Sequence, residues 1–202
     1  MIYKILPFIL FCIFSFKPLN TADAHIKGFT NTDPKLIAAS TKASLETKCK
    51  TLYSVLDANN LSLPKFDSFL AAFQGYELLK FQGKISNEIL TIVDFSLSST
   101  VERMWVIDMK TQKVLLKSLV AHGRNSGTEF ATKFSNANES FQSSLGFYVT
   151  GEEYQGKHGT SLRLDGMEAG INDNARNRAV VIHGADYVSQ KLANAQGYIG
   201  RS

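Results

Sequence analysis

The chain has 202 residues, of which 44% are hydrophobic and 20% charged, and its formal net charge is +4 at pH 7. This composition is typical of a globular protein with a buried core and argues against a disordered or fibrous chain. The charges are scattered along the sequence instead of forming a basic cluster, so nucleic acid is not an expected partner.

The first 24 residues have the features of an export signal. Lys4 provides a basic start, residues 5–16 are almost entirely apolar, and Ala22-Asp23-Ala24 is a cleavage site of the A-x-A type. An apolar segment this short spans too little of a bilayer to act as an anchor. We therefore expect cleavage before His25, export to the periplasm or cell envelope, and no stable membrane insertion of the mature protein.

Residues 33–82 have the periodicity of two amphipathic helices. Thr32-Asp33-Pro34 is a helix-start pattern, and Leu63-Pro64 begins a second helix after the polar break at residues 57–60. Apolar side chains recur three or four residues apart in each helix: Leu45, Cys49, Leu52, Tyr53 and Leu56, then Phe66, Phe69, Leu70, Phe73 and Tyr76. These stripes predict a helical hairpin packed on a larger body, with Cys49 as a small core residue.

Short β-rich runs begin at Ile89. They cover residues 89–95, 103–108, 114–120, 146–150, 161–166 and 179–182, separated by glycine-rich and polar turns. Runs spaced this closely predict a mainly antiparallel sheet or barrel. The expected fold class is therefore α+β, with a helical region at 25–87 followed by a mainly β domain at 88–202.

Three histidines precede glycines, at His122, His158 and His183. A histidine before a turn often makes only local hydrogen bonds, so each pair is weak evidence by itself. His183 is the strongest candidate because the apolar run at residues 179–182 delivers it into a turn, where a scaffold can present a general base. No serine lies in a G-x-S-x-G nucleophile elbow, and no H-E-x-x-H zinc motif occurs.

Several segments of the second half, in the same order, resemble the murein L,D-transpeptidase (YkuD-type) catalytic domain. They are AHGRNSG at 121–127, FSN at 134–136, SSLGFY at 143–148, YQGKHG at 154–159, LRLDG at 162–166, NDNAR at 172–176 and VIHGADYV at 181–188. The resemblance covers roughly residues 85–202. It implies a mainly β catalytic domain that remodels the peptide stems of peptidoglycan and needs no cofactor or metal.

The resemblance also implies roles for individual residues. His183 matches the catalytic histidine, and a backbone carbonyl near Gly184 would orient its ring. The family nucleophile is a cysteine in a Ser-x-Gly-Cys motif, and Gly200-Arg201-Ser202 matches its approach, so the cysteine is expected three residues beyond Ser202. We expect His183 at the mouth of a groove lined by the 122–127 and 154–166 loops. The candidate substrate-binding residues are His122, Tyr154, Arg163 and Arg178.

Two alternatives remain open at this point. A zinc-dependent murein peptidase would use His122, His158 and His183 with Asp165, although this spacing matches no common zinc signature. A non-catalytic peptidoglycan-binding module would have the same groove without the thiol. Because residues 1–202 do not include the expected cysteine, the sequence predicts an L,D-transpeptidase-like protein that is inactive as the chain of 202 residues, and whether it is an enzyme stays open.

Overall fold

A computed structural model describes residues 34–199, with side chains from residue 41 onward. The expected export signal at 1–24, the cleavage before His25 and the segment Gly200-Arg201-Ser202 lie outside these residues. Within the described part of the chain, no helix is both long enough and apolar enough to cross a membrane.

Two helices lead the described chain, as the periodicity predicted. Helix α1 is Pro34–Val55 and helix α2 is Phe66–Phe81. The Tyr53 ring meets the Phe66 ring edge-on at 5.3 Å between centroids, so the end of α1 packs on the start of α2. Phe69 and Phe73 are completely buried and Phe66 is half-buried. The helical hairpin and its phenylalanine stripe are therefore confirmed.

The strands form two separate antiparallel sheets of three strands each. The first contains β1 (Ile89–Val93), β2 (Met104–Asp108) and β3 (Lys113–Ser118), in that order. The second contains β4 (Tyr148–Gly156), β5 (Gly159–Gly166) and β6 (Val181–His183), also in that order. The α+β class is confirmed, and the β-rich runs are distributed over two sheets.

One hydrophobic core joins the helical hairpin to the first sheet. Its buried members are Cys49, Leu56, Phe69, Phe73, Tyr76, Ile92, Trp105, Ile107, Met109 and Val114. The indole nitrogen of Trp105 donates a 2.8 Å hydrogen bond to the Ser62 carbonyl, which ties β2 to the segment between the helices. This core takes residues from both sides of the boundary placed after residue 87.

A glycine inside helix α2 makes room for the start of the second sheet. A Cβ atom at Gly75 would lie only 2.2 Å from the Phe147 ring, far inside van der Waals contact. Glycine lowers helix stability, so its position in the middle of α2 is explained by this close approach. Phe147, the residue directly before β4, thereby packs against helix α2.

A short third helix was not predicted from the sequence. Helix α3 is Gln190–Gln196. The Ser189 hydroxyl accepts a hydrogen bond from the Leu192 amide at its start, and Gly197 ends it in the left-handed conformation at φ 74°. These two caps are visible in the sequence, but seven residues are too few for a clear apolar period.

Candidate functional site

The strand register of the second sheet places Tyr154 and Arg163 on the same sheet face as His183. Tyr154 in β4 is paired with Ser161 in β5, and Ser161 is paired with His183 in β6. Residues directly opposite each other in antiparallel strands project from the same face. Arg163, two residues after Ser161 in β5, shares that face as well. The sheet therefore gathers Tyr154, Arg163 and His183, which are far apart in the sequence.

The ring of His183 is oriented by the next residue in the chain. Its Nδ1 lies 2.7 Å from the Gly184 carbonyl oxygen. A carbonyl only accepts hydrogen bonds, so Nδ1 carries the proton and Nε2 of the neutral ring has a free lone pair. This is the contact that the family resemblance implied, and it prepares Nε2 to accept a proton.

A second imidazole lies flat against the first. The turn between β4 and β5 presents His158, whose ring centroid is 4.9 Å from that of His183 with 17° between the planes. The Tyr187 ring meets His158 edge-on at 6.3 Å and 86°. The sequence marked His158 as one of three His-Gly pairs and as a ligand in the zinc alternative, and no local signal indicated that it would stack on His183.

Arg163 lies over the face of Tyr154 in an exposed charge network. Its guanidinium carbon is 4.5 Å from the Tyr154 ring centroid, and its Nε is 2.9 Å from a Glu152 carboxylate oxygen. Arg176 completes the network by pairing with both Glu152 and Asp165. Hydrogen bonds from Arg176 lower the pKa of both carboxyl groups. Arg163 thus remains partly accessible on the His183 face, where it can meet an anion.

Arg178 is fully engaged in holding a loop. Its guanidinium donates to the Ser135 and Gln142 carbonyls at 2.7 and 2.6 Å, and to the Ser140 and Ser144 hydroxyls. These bonds join the two ends of the segment 135–144 to the loop before β6. The geometry therefore favours loop support, and a substrate-binding role for Arg178 stays a prediction.

His122 lies in the interior, away from the exposed face that carries His183. Its side chain is 0% exposed, and its Nδ1 accepts a 2.8 Å hydrogen bond from Nη2 of Arg103, which is also 0% exposed. Burial lowers the pKa of His122, and the nearby Arg103 cation lowers it further, against an opposing effect of the Gly127 and Thr128 backbone. No atom of His122 is open to a substrate in this arrangement, so the substrate-binding role predicted for it stays without support.

Of the two segments expected to line a groove at His183, the structure places only 154–166 beside it. The segment 154–166 supplies Tyr154, His158 and Arg163 around His183. The 122–127 loop instead bonds to the segment 141–143, for example through Asn125 to the Phe141 carbonyl and Gly123 to the Ser143 hydroxyl. Among the described residues, no hydrogen bond or ring contact joins that loop to His183.

The end of the described chain is anchored to the loop between β1 and β2. The buried amide of Ile199 donates a 2.8 Å hydrogen bond to the Ser99 hydroxyl, and both residues are at most 1% exposed. Gln190 in α3 donates to the Thr100 carbonyl of the same loop. The segment that leads to Ser202 therefore starts from a fixed point, which sequence reasoning missed because Ser99 lies in an ordinary polar turn.

The described residues do not provide the set of zinc ligands that the metallopeptidase alternative requires. Within residues 34–199, no group of three His, Cys, Asp or Glu side chains is arranged to hold a metal ion. His158 and His183 are neighbours, while His122 is bonded to Arg103 in the interior. Asp165 is paired with Arg176.

Comparison with known families supports the resemblance noted from the sequence. The family described as the L,D-transpeptidase catalytic domain matches residues 60–202, well over half of the chain. The match starts inside the helical region, so it includes helix α2 as well as both sheets. Comparison with curated proteins and with solved structures gave no match. The chain belongs to the L,D-transpeptidase catalytic domain family.

Proposed function

We propose that the protein is an exported murein L,D-transpeptidase that acts on peptidoglycan peptide stems by cysteine acyl transfer, with His183 as the general base. The observation that carries this proposal is the hydrogen bond from Nδ1 of the half-buried His183 to the Gly184 carbonyl, which leaves Nε2 of the neutral ring free to accept a proton. A base so prepared needs a nucleophile within hydrogen-bond reach. In this family the nucleophile is the cysteine of Ser-x-Gly-Cys, expected three residues beyond Ser202.

The chemistry follows from these groups. Nε2 of His183 takes the thiol proton. The thiolate then attacks the carbonyl carbon of the diamino acid in a donor stem, at its amide bond to the terminal D-alanine. Collapse breaks the carbon–nitrogen bond, and the proton on Nε2 passes to the departing amine of D-alanine. The side-chain amine of a second stem then attacks the thioester and gives its proton to the imidazole. The carbon–sulfur bond breaks, and the departing thiolate recovers that proton from the imidazole.

The partly accessible cation on the site face fits the charge of the substrate. Peptide stems carry carboxylates, and Arg163 over Tyr154 offers a guanidinium on the same face as His183. Arg178 and His122 have their hydrogen-bonding groups engaged within the protein. Arg163 and Tyr154 are therefore the substrate-binding residues that the geometry favours most among the four candidates.

A polypeptide of residues 1–202 should not catalyse this reaction. Cys49 is 0% exposed, and burial together with the Glu46 carboxylate raises its pKa to about 11, so it is a poor nucleophile. The test is to incubate this polypeptide, and a version extended beyond Ser202 by a C-terminus that begins x-Gly-Cys, with tetrapeptide stems or a carbapenem. Only the extended protein should gain a mass adduct, and His183→Ala should abolish it. An adduct on Cys49, or acylation without His183, would contradict the proposal.

Export is proposed from the pattern of the first 24 residues. Mass spectrometry of protein recovered from an envelope fraction should find His25 as the first residue. An intact Met1 in a membrane pellet would contradict export with cleavage.

A non-catalytic peptidoglycan-binding module is the second candidate. It is favoured by the partly accessible Arg163–Tyr154 pair, which can bind an anionic stem without any thiol. The coding sequence beyond Ser202 discriminates between the two functions, because an in-frame x-Gly-Cys indicates the enzyme. Sedimentation with purified murein measures binding in either case, and Arg163→Ala should weaken it.

A further inference from the structure

The turn that carries His158 is held rigidly. Gly156 pairs with Gly159 at the end of the β4–β5 ladder, and Gly159 adopts a φ of 87°, which disfavours other residues. The buried Ser161 hydroxyl donates to the Gly159 carbonyl at 3.1 Å, and Gln155 donates to the Thr160 hydroxyl at 3.0 Å. The backbone on both sides of His158 is therefore fixed.

His183 is less well held by its own strand. Strand β6 has only three residues and lies at the edge of the second sheet, paired with β5 alone. The bond from Nδ1 to the Gly184 carbonyl is the hydrogen bond that holds its ring among the described residues. An imidazole rotates about two bonds, so one hydrogen bond to an adjacent backbone atom leaves freedom that a contact with the ring face would remove.

His158 supplies that contact. The two rings are nearly parallel at 4.9 Å, and Tyr187, four residues after His183, meets the other ring edge-on. Such offset and edge-to-face arrangements are favoured between flat rings. The stack covers a face of the His183 ring and leaves its edge, where Nε2 lies, free to reach a nucleophile.

We propose that His158 is a positioning residue for His183: by stacking on the imidazole it keeps Nε2 aimed at the thiol and the Nδ1–Gly184 bond in place. The proposal deepens the function proposed above and rests on it for its catalytic part. His158 itself exchanges no proton with the substrate. A flat side chain of another type should therefore replace it.

The first test needs no catalysis. Nitrogen-15 spectra of the imidazoles in the purified chain ending at Ser202 should show His183 as the Nδ1-protonated tautomer. His158→Ala should give signals averaged between the two tautomers, while His158→Phe should retain those of the parent protein. Lys157→Ala, a change in the same turn, is the matched control and should have no effect. Parent-like His183 signals in His158→Ala would overturn the proposal.

The second test uses the protein extended beyond Ser202 by a C-terminus that begins x-Gly-Cys. His158→Ala should lower kcat by roughly 10²-fold, the loss expected for a base displaced by about 1 Å, with little change in KM. His158→Phe should restore most of the rate. If His158→Gln restored it and His158→Phe did not, the residue would act through a polar contact and the positioning role would be refuted.

The two proposals fail separately. An extended parent protein that forms no acyl adduct would refute the transpeptidase function, and the imidazole spectra would still decide whether His158 positions His183. An active parent protein with an unaffected His158→Ala variant would refute the positioning role alone.

Discussion

Arg103 and His122 form a hydrogen-bonded pair in the interior, with 2.8 Å between Nη2 and Nδ1 and no exposure of either side chain. Arg103 also donates to the Leu97 and Val120 carbonyls, and burial lowers its pKa to about 10, which leaves it charged at neutral pH. A charged donor requires Nδ1 to accept, so the neutral ring has its proton on Nε2. That buried Nε2 has no hydrogen-bond partner among the described residues.

The pair predicts that the protein loses stability in mild acid. The pKa of His122 is lowered in the folded state, so the unfolded chain binds more protons as the pH falls through about 6.5. The contribution of His122 to the free energy of unfolding should therefore be constant above that pH and decrease below it, by up to about 1.4 kcal/mol per pH unit. Urea unfolding between pH 8 and 5 measures this.

The control for this prediction is His122→Gln, whose side-chain carbonyl can accept from Arg103 but does not titrate. It should have a flatter stability profile between pH 6.5 and 5 than the parent protein. An identical slope in the two proteins would remove His122 as the cause.

Loss of the Ser99 hydroxyl should release the anchored end of the chain. Ser99→Ala leaves the buried Ile199 amide without an acceptor, which costs about 1–3 kcal/mol. The Ile199 amide should exchange with deuterium faster, while the Ala193 amide, which donates to the Ser189 carbonyl at the start of α3, should keep its rate. Equal exchange of Ile199 in both proteins would show that another group holds this segment.

Arg178 should matter for stability more than for substrate affinity. Arg178→Lys replaces a planar donor that reaches four groups with a single ammonium, so loop 135–144 should loosen. We expect a lower melting temperature and an unchanged affinity for murein. Arg163→Lys is the comparison, with weaker murein binding and little change in melting temperature. If Arg178→Lys instead weakened murein binding without lowering the melting temperature, Arg178 would be a substrate-binding residue.

Cys49 should resist alkylation in the folded protein. Its burial in the core and its raised pKa both keep the thiolate population small at pH 7.5. Iodoacetamide labelling followed by peptide mapping should find Cys49 unmodified until denaturant is added. Rapid native labelling at that peptide would show that the core around α1 opens.

Phe73→Ala should destabilise the protein by about 3–5 kcal/mol, because its side chain is 1% exposed and its removal leaves a cavity. Phe81→Ala in the same helix is the control. Phe81 is 90% exposed, so its loss should change the free energy of unfolding by less than about 0.5 kcal/mol. Equal effects would contradict the position of the core.

Local patterns were sufficient to determine much of this protein. Helices α1 and α2 follow from apolar side chains three or four residues apart, because that spacing places them on one face. The bond between His183 and the Gly184 carbonyl joins adjacent residues, so it too lies within reach of sequence reasoning. The family was recognisable because its motifs are short continuous segments.

Tertiary structure alone decided which distant groups meet. The pairing of Ser161 with His183 depends on strand register, and a shift of one residue would turn the histidine to the opposite face. The stack of His158 on His183 and the bond from Ile199 to Ser99 join segments separated along the chain, and no periodicity encodes them. The burial of His122 was also decided by the tertiary structure, because a histidine is compatible with either an exposed site or a core. Only the packing of Arg103 against it selected the core, because a buried guanidinium requires acceptors and the imidazole supplies one.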